Sequence, residues 1–114
     1  MSDVAYFEEA DFDQNNMLKM QDDVVCLVYA NWCPPCQSFK PIFFDLSGQV
    51  KAKVAAIELD GHLPGQKELA DKIHSIVKDL QGTPTVCLFR NGRVVAVYDG
   101  DRSFESLVEF CETK

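Results

Sequence analysis

Residues 24–30, VVCLVYA, are seven apolar or aromatic side chains in a row, and they run directly into NWCPPC at residues 31–36. β-branched residues are frequent in the run, and its length suits a strand better than a helix. A strand that is apolar at every position has no solvent face, so it belongs inside a sheet covered on both sides. The remainder of the chain has to supply that cover.

Helical spacing begins after the cysteines. Phe39, Phe43, Leu46 and Val50 recur at i, i+4, i+7 and i+11, one face of a helix, with Pro41 inside it as an expected kink. VAAIELD, residues 54–60, reads as a second strand, and GHLPG breaks the chain. Leu69, Ile73, Ile76, Val77 and Leu80 then mark another amphipathic helix. TVCLFR and RVVAVYDG flank Asn91-Gly92, a strong signal for a hairpin turn with positive φ. Phe104, Leu107, Val108 and Cys111 repeat at helical spacing, with Ser103 as N-cap. Upstream, VAYF suits a short edge strand, and Asp11 is placed to cap a helix over Phe12–Met20. The resulting order is βαβαβαββα. Helices between strands enforce parallel pairing and the closing hairpin adds antiparallel neighbours. The expected class is α/β, a mixed central sheet of about five strands flanked by four helices. No repeat, low-complexity tract or linker interrupts it, so residues 1–114 read as a single domain.

With 18 acidic and 11 basic residues the net charge is −7, which repels phosphate backbones and anionic lipid headgroups. Nucleic acid and membrane are therefore not expected partners, and no apolar run approaches the roughly 20 residues of a membrane span. The acidic start MSDVAYFEEADFD is unlike a secretory signal, so the expected location is the cytoplasm. Five cysteines make an odd set. Cys26, Cys87 and Cys111 fall inside apolar or helical patterns and read as small buried hydrophobes.

Cys33 and Cys36 could be half of a zinc site, a structural disulfide or a reversible dithiol. A structural zinc site needs four ligands, and no second C-x-x-C or His pair follows; His62 and His74 fall on different elements. No metal is expected. Cys33 follows a buried strand at the mouth of a helix, where free N–H groups and the helix dipole favour a thiolate, the reactive form. Pro34 and Pro35 suit the first helical turn and push Cys33 out of the α region. They also remove two donors, so the first amide available to a Cys33 thiolate is that of Cys36.

WCPPC after VVCLVYA, a proline five residues beyond the second cysteine, and GTPT opening a later strand together resemble the thioredoxin family over nearly the whole chain. The resemblance implies a thioredoxin fold with Cys33 as an exposed nucleophile at the helix start, Cys36 as the resolving thiol one turn deeper, and Pro84 as a cis-proline facing the pair. Trp32, Pro34, Thr83 and Pro84 would line the shallow groove where a partner's extended chain docks. It further implies a protein-disulfide oxidoreductase, with a redox-active Cys33–Cys36 disulfide, needing no cofactor. Its partners would be disulfide-containing proteins and a reductase or small-thiol electron donor, and it would act as a monomer.

Several features depart from the family pattern. Leu27 stands where a buried Asp is usual, Ala56 where a neighbouring Lys is usual, and Gln37 where a basic residue follows the second cysteine. Loss of that polar pair leaves deprotonation of Cys36 to water or to the leaving thiolate. Pro-Pro between the cysteines is shared with tryparedoxin and nucleoredoxin, which also lack that carboxylate. The segment from Asp60 to Pro84 is several residues longer than in short thioredoxins, for which a longer third helix is the expectation. Thr83 before the proline resembles isomerase-type relatives. Two other readings compete with the oxidoreductase: a thioredoxin-fold binding module with an incidental dithiol, and a glutaredoxin-like glutathione-dependent enzyme.

Overall fold

The computed structural model describes residues 4–78 and 80–113. The strands are β1 (Ala5–Tyr6), β2 (Val24–Tyr29), β3 (Lys53–Glu58), β4 (Thr85–Arg90) and β5 (Arg93–Val97), in sheet order β1-β3-β2-β4-β5. β1 and β2 run parallel to β3, while β4 runs antiparallel to both β2 and β5. Three α-helices connect or follow them: α1 (Pro34–Phe44), α2 (Gln66–Ile76) and α3 (Phe104–Thr113).

β2 is buried at all six positions, because it lies centrally in the sheet and both of its faces are covered. Val25, Leu27 and Tyr29 join Phe39, Phe43, Leu107 and Phe110 on the face covered by α1 and α3. Val24, Cys26 and Val28 join Leu69, Ile73, Ile76 and Phe89 on the face covered by α2. The alternation follows from the period-two pleat of a strand. Asn91 and Gly92 both have positive φ, 54° and 85°, as a tight hairpin turn requires. Ser103 Oγ accepts the Ser106 N–H at 3.2 Å, capping α3.

Three sequence expectations are corrected. No helix forms over Phe12–Met20, so among the described residues the sheet carries three α-helices rather than four; a 3-10 turn, Glu9–Asp11, precedes that stretch. Asp13 Oδ1 accepts the N–H groups of Asn15 and Met17, Asn16 takes a left-handed φ of 61°, and Phe12 bridges to Leu18. An aspartate bonding forward to its own backbone offers an alternative to the helix. Asp11 acts locally too, with Oδ2 accepting the Glu8 N–H at 2.8 Å. Second, α1 ends at Phe44 rather than near Val50. The amides of Leu46, Ser47 and Gln49 bond three residues back, and Gly48 has φ 80°. Leu46 still reaches the core from that tighter turn. Third, α2 stops at Ile76; Val77 and Leu80, placed on the helix by their spacing, are buried but lie beyond it.

Candidate active site

β2 carries the chain from the sheet interior to its C-terminal edge, where Cys33 becomes the N-cap of α1 with extended angles, φ −92° and ψ 108°. The amides of Cys36 and Gln37 donate to the Cys33 carbonyl oxygen at 3.1 and 3.3 Å, closing the first turn. The Cys36 amide, which sequence reasoning offered to the Cys33 sulfur, is thus engaged with its carbonyl. Pro34 and Pro35 occupy the first turn, where a missing N–H leaves no helical bond unmade.

Cys33 and Cys36 are disulfide-bonded, with Cα atoms 5.3 Å apart. Cys33 retains only 4% exposure and Cys36 none. The expectation of an openly exposed first cysteine is corrected: the residue is buried, with only a trace of its surface reaching solvent. Both cysteines belong to the core cluster under α1 and α3, and the Cys33 sulfur lies 3.6 Å from the Thr83 carbonyl oxygen. The order of accessibility is nevertheless Cys33 before Cys36. Of the residues expected to line the docking groove, Trp32 is 73% exposed, Pro34 is exposed, and Thr83 and Pro84 are half-buried. The Thr83–Pro84 peptide bond is cis, and Thr85 Oγ1 donates to the Gly82 carbonyl at 2.6 Å. The structure therefore brings Cys33, Cys36 and Thr83 into contact, with Pro84 next along the chain.

Beneath the pair the sheet is apolar. Leu27 stands in register with Ala56 on β3 and Val86 on β4, and all three are buried. A lone carboxylate introduced there would be costly to ionise.

Sequence reasoning missed a polar cluster at the same edge of the sheet. The Asn31 N–H donates to both carboxylate oxygens of Asp60, at 3.0 and 2.9 Å, and its side-chain amide donates to Asp60 Oδ1 and Glu58 Oε2. Gln37 Nε2 donates to the Asn31 carbonyl at 2.7 Å. Tyr29 OH donates to Glu58 Oε2 at 3.3 Å, and buried Gln66 reaches Glu58 Oε1 at 3.4 Å. Asn31 thus ties the cysteine loop to the end of β3. Desolvation acts to raise the Asp60 carboxyl, but the Asn31 amide, its own amide, the Asn31 side chain and the Trp32 amide outweigh it, and the group sits below its ordinary value. Burial pushes the Tyr29 phenol far up, with Tyr6 and Glu58 adding to the shift, and Lys40 Nζ lies 4.8 Å above the Tyr29 ring. The available signal was Glu58 and Asp60 at i, i+2 near the end of a strand, where both side chains share a face.

Among the described residues no group of three or more His, Cys, Asp or Glu side chains is placed to hold a metal ion. A family model described as Thioredoxin matches residues 3–113. The chain belongs to the thioredoxin family. It is 33% identical over 105 residues to Protein disulfide isomerase-like 2-3 of Oryza sativa subsp. japonica, covering 87% of this chain and 22% of that protein. It is 30% identical over 115 residues to Protein disulfide isomerase-like 1-3 of Arabidopsis thaliana, covering 98% of this chain and 18% of that protein. The chain therefore spans about a fifth of the length of these curated relatives. A mutant thioredoxin from Halobacterium salinarum NRC-1 superimposes with a TM-score of 0.69 at 28% identity, covering 97% of this chain and 89% of that one. This thioredoxin-family chain keeps the mixed five-stranded sheet with a bonded C-x-x-C pair at the start of α1.

Proposed function

We propose that the protein is a thiol–disulfide oxidoreductase that exchanges disulfides with other proteins through Cys33 and Cys36. The observation that carries this reading is the bonded pair itself: it opens α1, with Cys33 at the N-cap keeping a trace of solvent exposure and Cys36 fully enclosed. In the reduced form, the Cys33 thiolate attacks one sulfur of a substrate disulfide, forming a mixed disulfide and releasing a substrate thiolate that takes up a proton. Cys36 then attacks the Cys33 sulfur, restoring the intramolecular bond and releasing the second substrate thiol. Two electrons pass from the dithiol to the substrate, and a small thiol or a reductase returns them.

An extended substrate chain would reach Cys33 between Trp32, Pro34, Thr83 and Pro84. With Leu27 and Ala56 below Cys36, no carboxylate relays its proton, and the leaving substrate thiolate or water takes that role. The Pro-Pro pair and this missing carboxylate align the site with the tryparedoxin and nucleoredoxin branch of the family.

The test is dithiothreitol-driven reduction of insulin. The native chain is expected to be active and Cys33→Ser to fall to background; activity surviving in that variant overturns the proposal. The near-complete cover of Cys33 favours a second reading, a binding module whose dithiol is incidental. That reading expects partner binding to be unchanged when both cysteines are replaced by serine.

A further inference from the structure

A second cysteine pair lies in the sheet itself. β2 and β4 are antiparallel neighbours, and Cys26 stands directly opposite Cys87. Opposed residues of an antiparallel pair have Cα atoms roughly 4.5–5.5 Å apart and side chains on one face. That separation lies within the range of about 4.4–6.8 Å that a disulfide spans. Both residues are free cysteines with no solvent exposure, and the Cys26 thiol donates to the Leu27 carbonyl oxygen at 4.0 Å. They belong to the core under α2, on the opposite face from Cys33 and Cys36, and the exchange chemistry above does not use them.

We propose that Cys26 and Cys87 form a second redox site, a buried dithiol that hydrogen peroxide closes into a disulfide joining β2 to β4. One sulfur, as thiolate, attacks a peroxide oxygen and becomes a sulfenic acid, and the displaced hydroxide leaves as water. The neighbouring thiol attacks the sulfenic sulfur, forms the S–S bond and expels hydroxide, which takes up its proton as a second water. Two thiols and one peroxide thus give one disulfide and two waters, and the two electrons lost by sulfur reduce the peroxide. Because Cys87 stands directly opposite Cys26 on the paired strand, the resolving thiol is at hand and disulfide formation outruns further oxidation. Burial pushes the Cys26 thiol well above its ordinary value, and the proximity of Cys87 adds to that. Thiolate is therefore scarce near neutrality, and closure is slow and accelerates as pH rises. β2 leads into Cys33 and β4 starts immediately after Pro84, so the new bond ties together the two segments that form the first site.

The experiment uses the full chain with Cys111→Ser and the Cys33–Cys36 disulfide intact. It is treated with hydrogen peroxide at neutral and alkaline pH, quenched, unfolded, alkylated and weighed. The expected result is that alkylatable thiols fall from two to none, with a peptide linking residues 26 and 87. Closure should be faster at the higher pH, and the melting temperature should rise until dithiothreitol reverses it. The readout is taken on the native pair, so it does not depend on a substituted core folding. The proposal is overturned if both thiols are still alkylated after a dose that fully oxidises Cys111 in the parent chain. Sulfinic acid in place of the linked peptide, or a linked peptide found only in chains that have lost native circular dichroism, overturns it as well.

Discussion

The two faces of the sheet each hold a cysteine pair, and both pairs are almost wholly enclosed. Cys33 and Cys36 lie at the edge where β2 ends, and Cys26 and Cys87 lie in the middle of the β2–β4 ladder. What separates them is the backbone around the sulfur. Cys33 sits at the start of a helix and keeps a trace of solvent exposure. Cys26 lies in the middle of a central strand, between β3 and β4, and its thiol donates to the Leu27 carbonyl oxygen. Cysteine content and burial alone do not distinguish a site of exchange from a packed core; helix placement and a trace of exposure do.

That contrast predicts opposite outcomes for one kind of change. Cys33→Ser should abolish insulin reduction, whereas Cys87→Ala, which leaves the C-x-x-C pair intact, should retain it per folded molecule. If the two variants lose activity equally, the separation of the faces is wrong.

Packing should be felt on both faces. Phe43, fully buried on the inner side of α1, and Phe89, fully buried on the α2 face, should each cost about 3–5 kcal/mol on truncation to alanine, read from denaturant midpoints. A markedly smaller loss for Phe43 would mean that the site's face is loosely packed.

Alkaline pH should weaken the fold through the cysteines outside the exchange site. Burial raises the Cys26 thiol, and burial followed by the Glu112 charge pushes Cys111 up to about 11. A thiol raised in the folded chain gives stability that is complete below its unfolded value of roughly 8.5 and is lost as pH rises toward the folded value. Unfolding midpoints should therefore decline above about pH 8.5, and less steeply in Cys111→Ser. A flat profile would show that these thiols keep their ordinary values.

The polar edge predicts a smaller effect. Asn31→Ala removes the side-chain bonds to Glu58 and Asp60 but keeps the backbone bond, so the loss should be about 1 kcal/mol. Turnover should change more than stability if Asn31 sets the position of the cysteine loop.

What the sequence made legible was whatever local chemistry decides. Asn91-Gly92 specifies its own turn, Ser103 its own cap, and VVCLVYA its place between two covered faces. The stretch over Phe12–Met20 misled because Phe12 and Leu18 are apolar for a different reason: they pack under the α2 face from a loop that Asp13 organises. The end of α1 was read too late because Leu46 is buried from a turn beyond the helix, and burial alone does not distinguish the two. At the site, the C-x-x-C spacing was plain. Its cover was not, because Thr83 comes from fifty residues further along the chain, and the Asn31 links exist only once β2 and β3 pair.

The most direct test is to trap the exchange half-way. Reduced Cys36→Ser protein is mixed with a disulfide-containing protein such as insulin, and the adduct is mapped by mass spectrometry. A mixed disulfide through Cys33, released by dithiothreitol, is the predicted result. No adduct, or one joined through Cys26, Cys87 or Cys111, would contradict it.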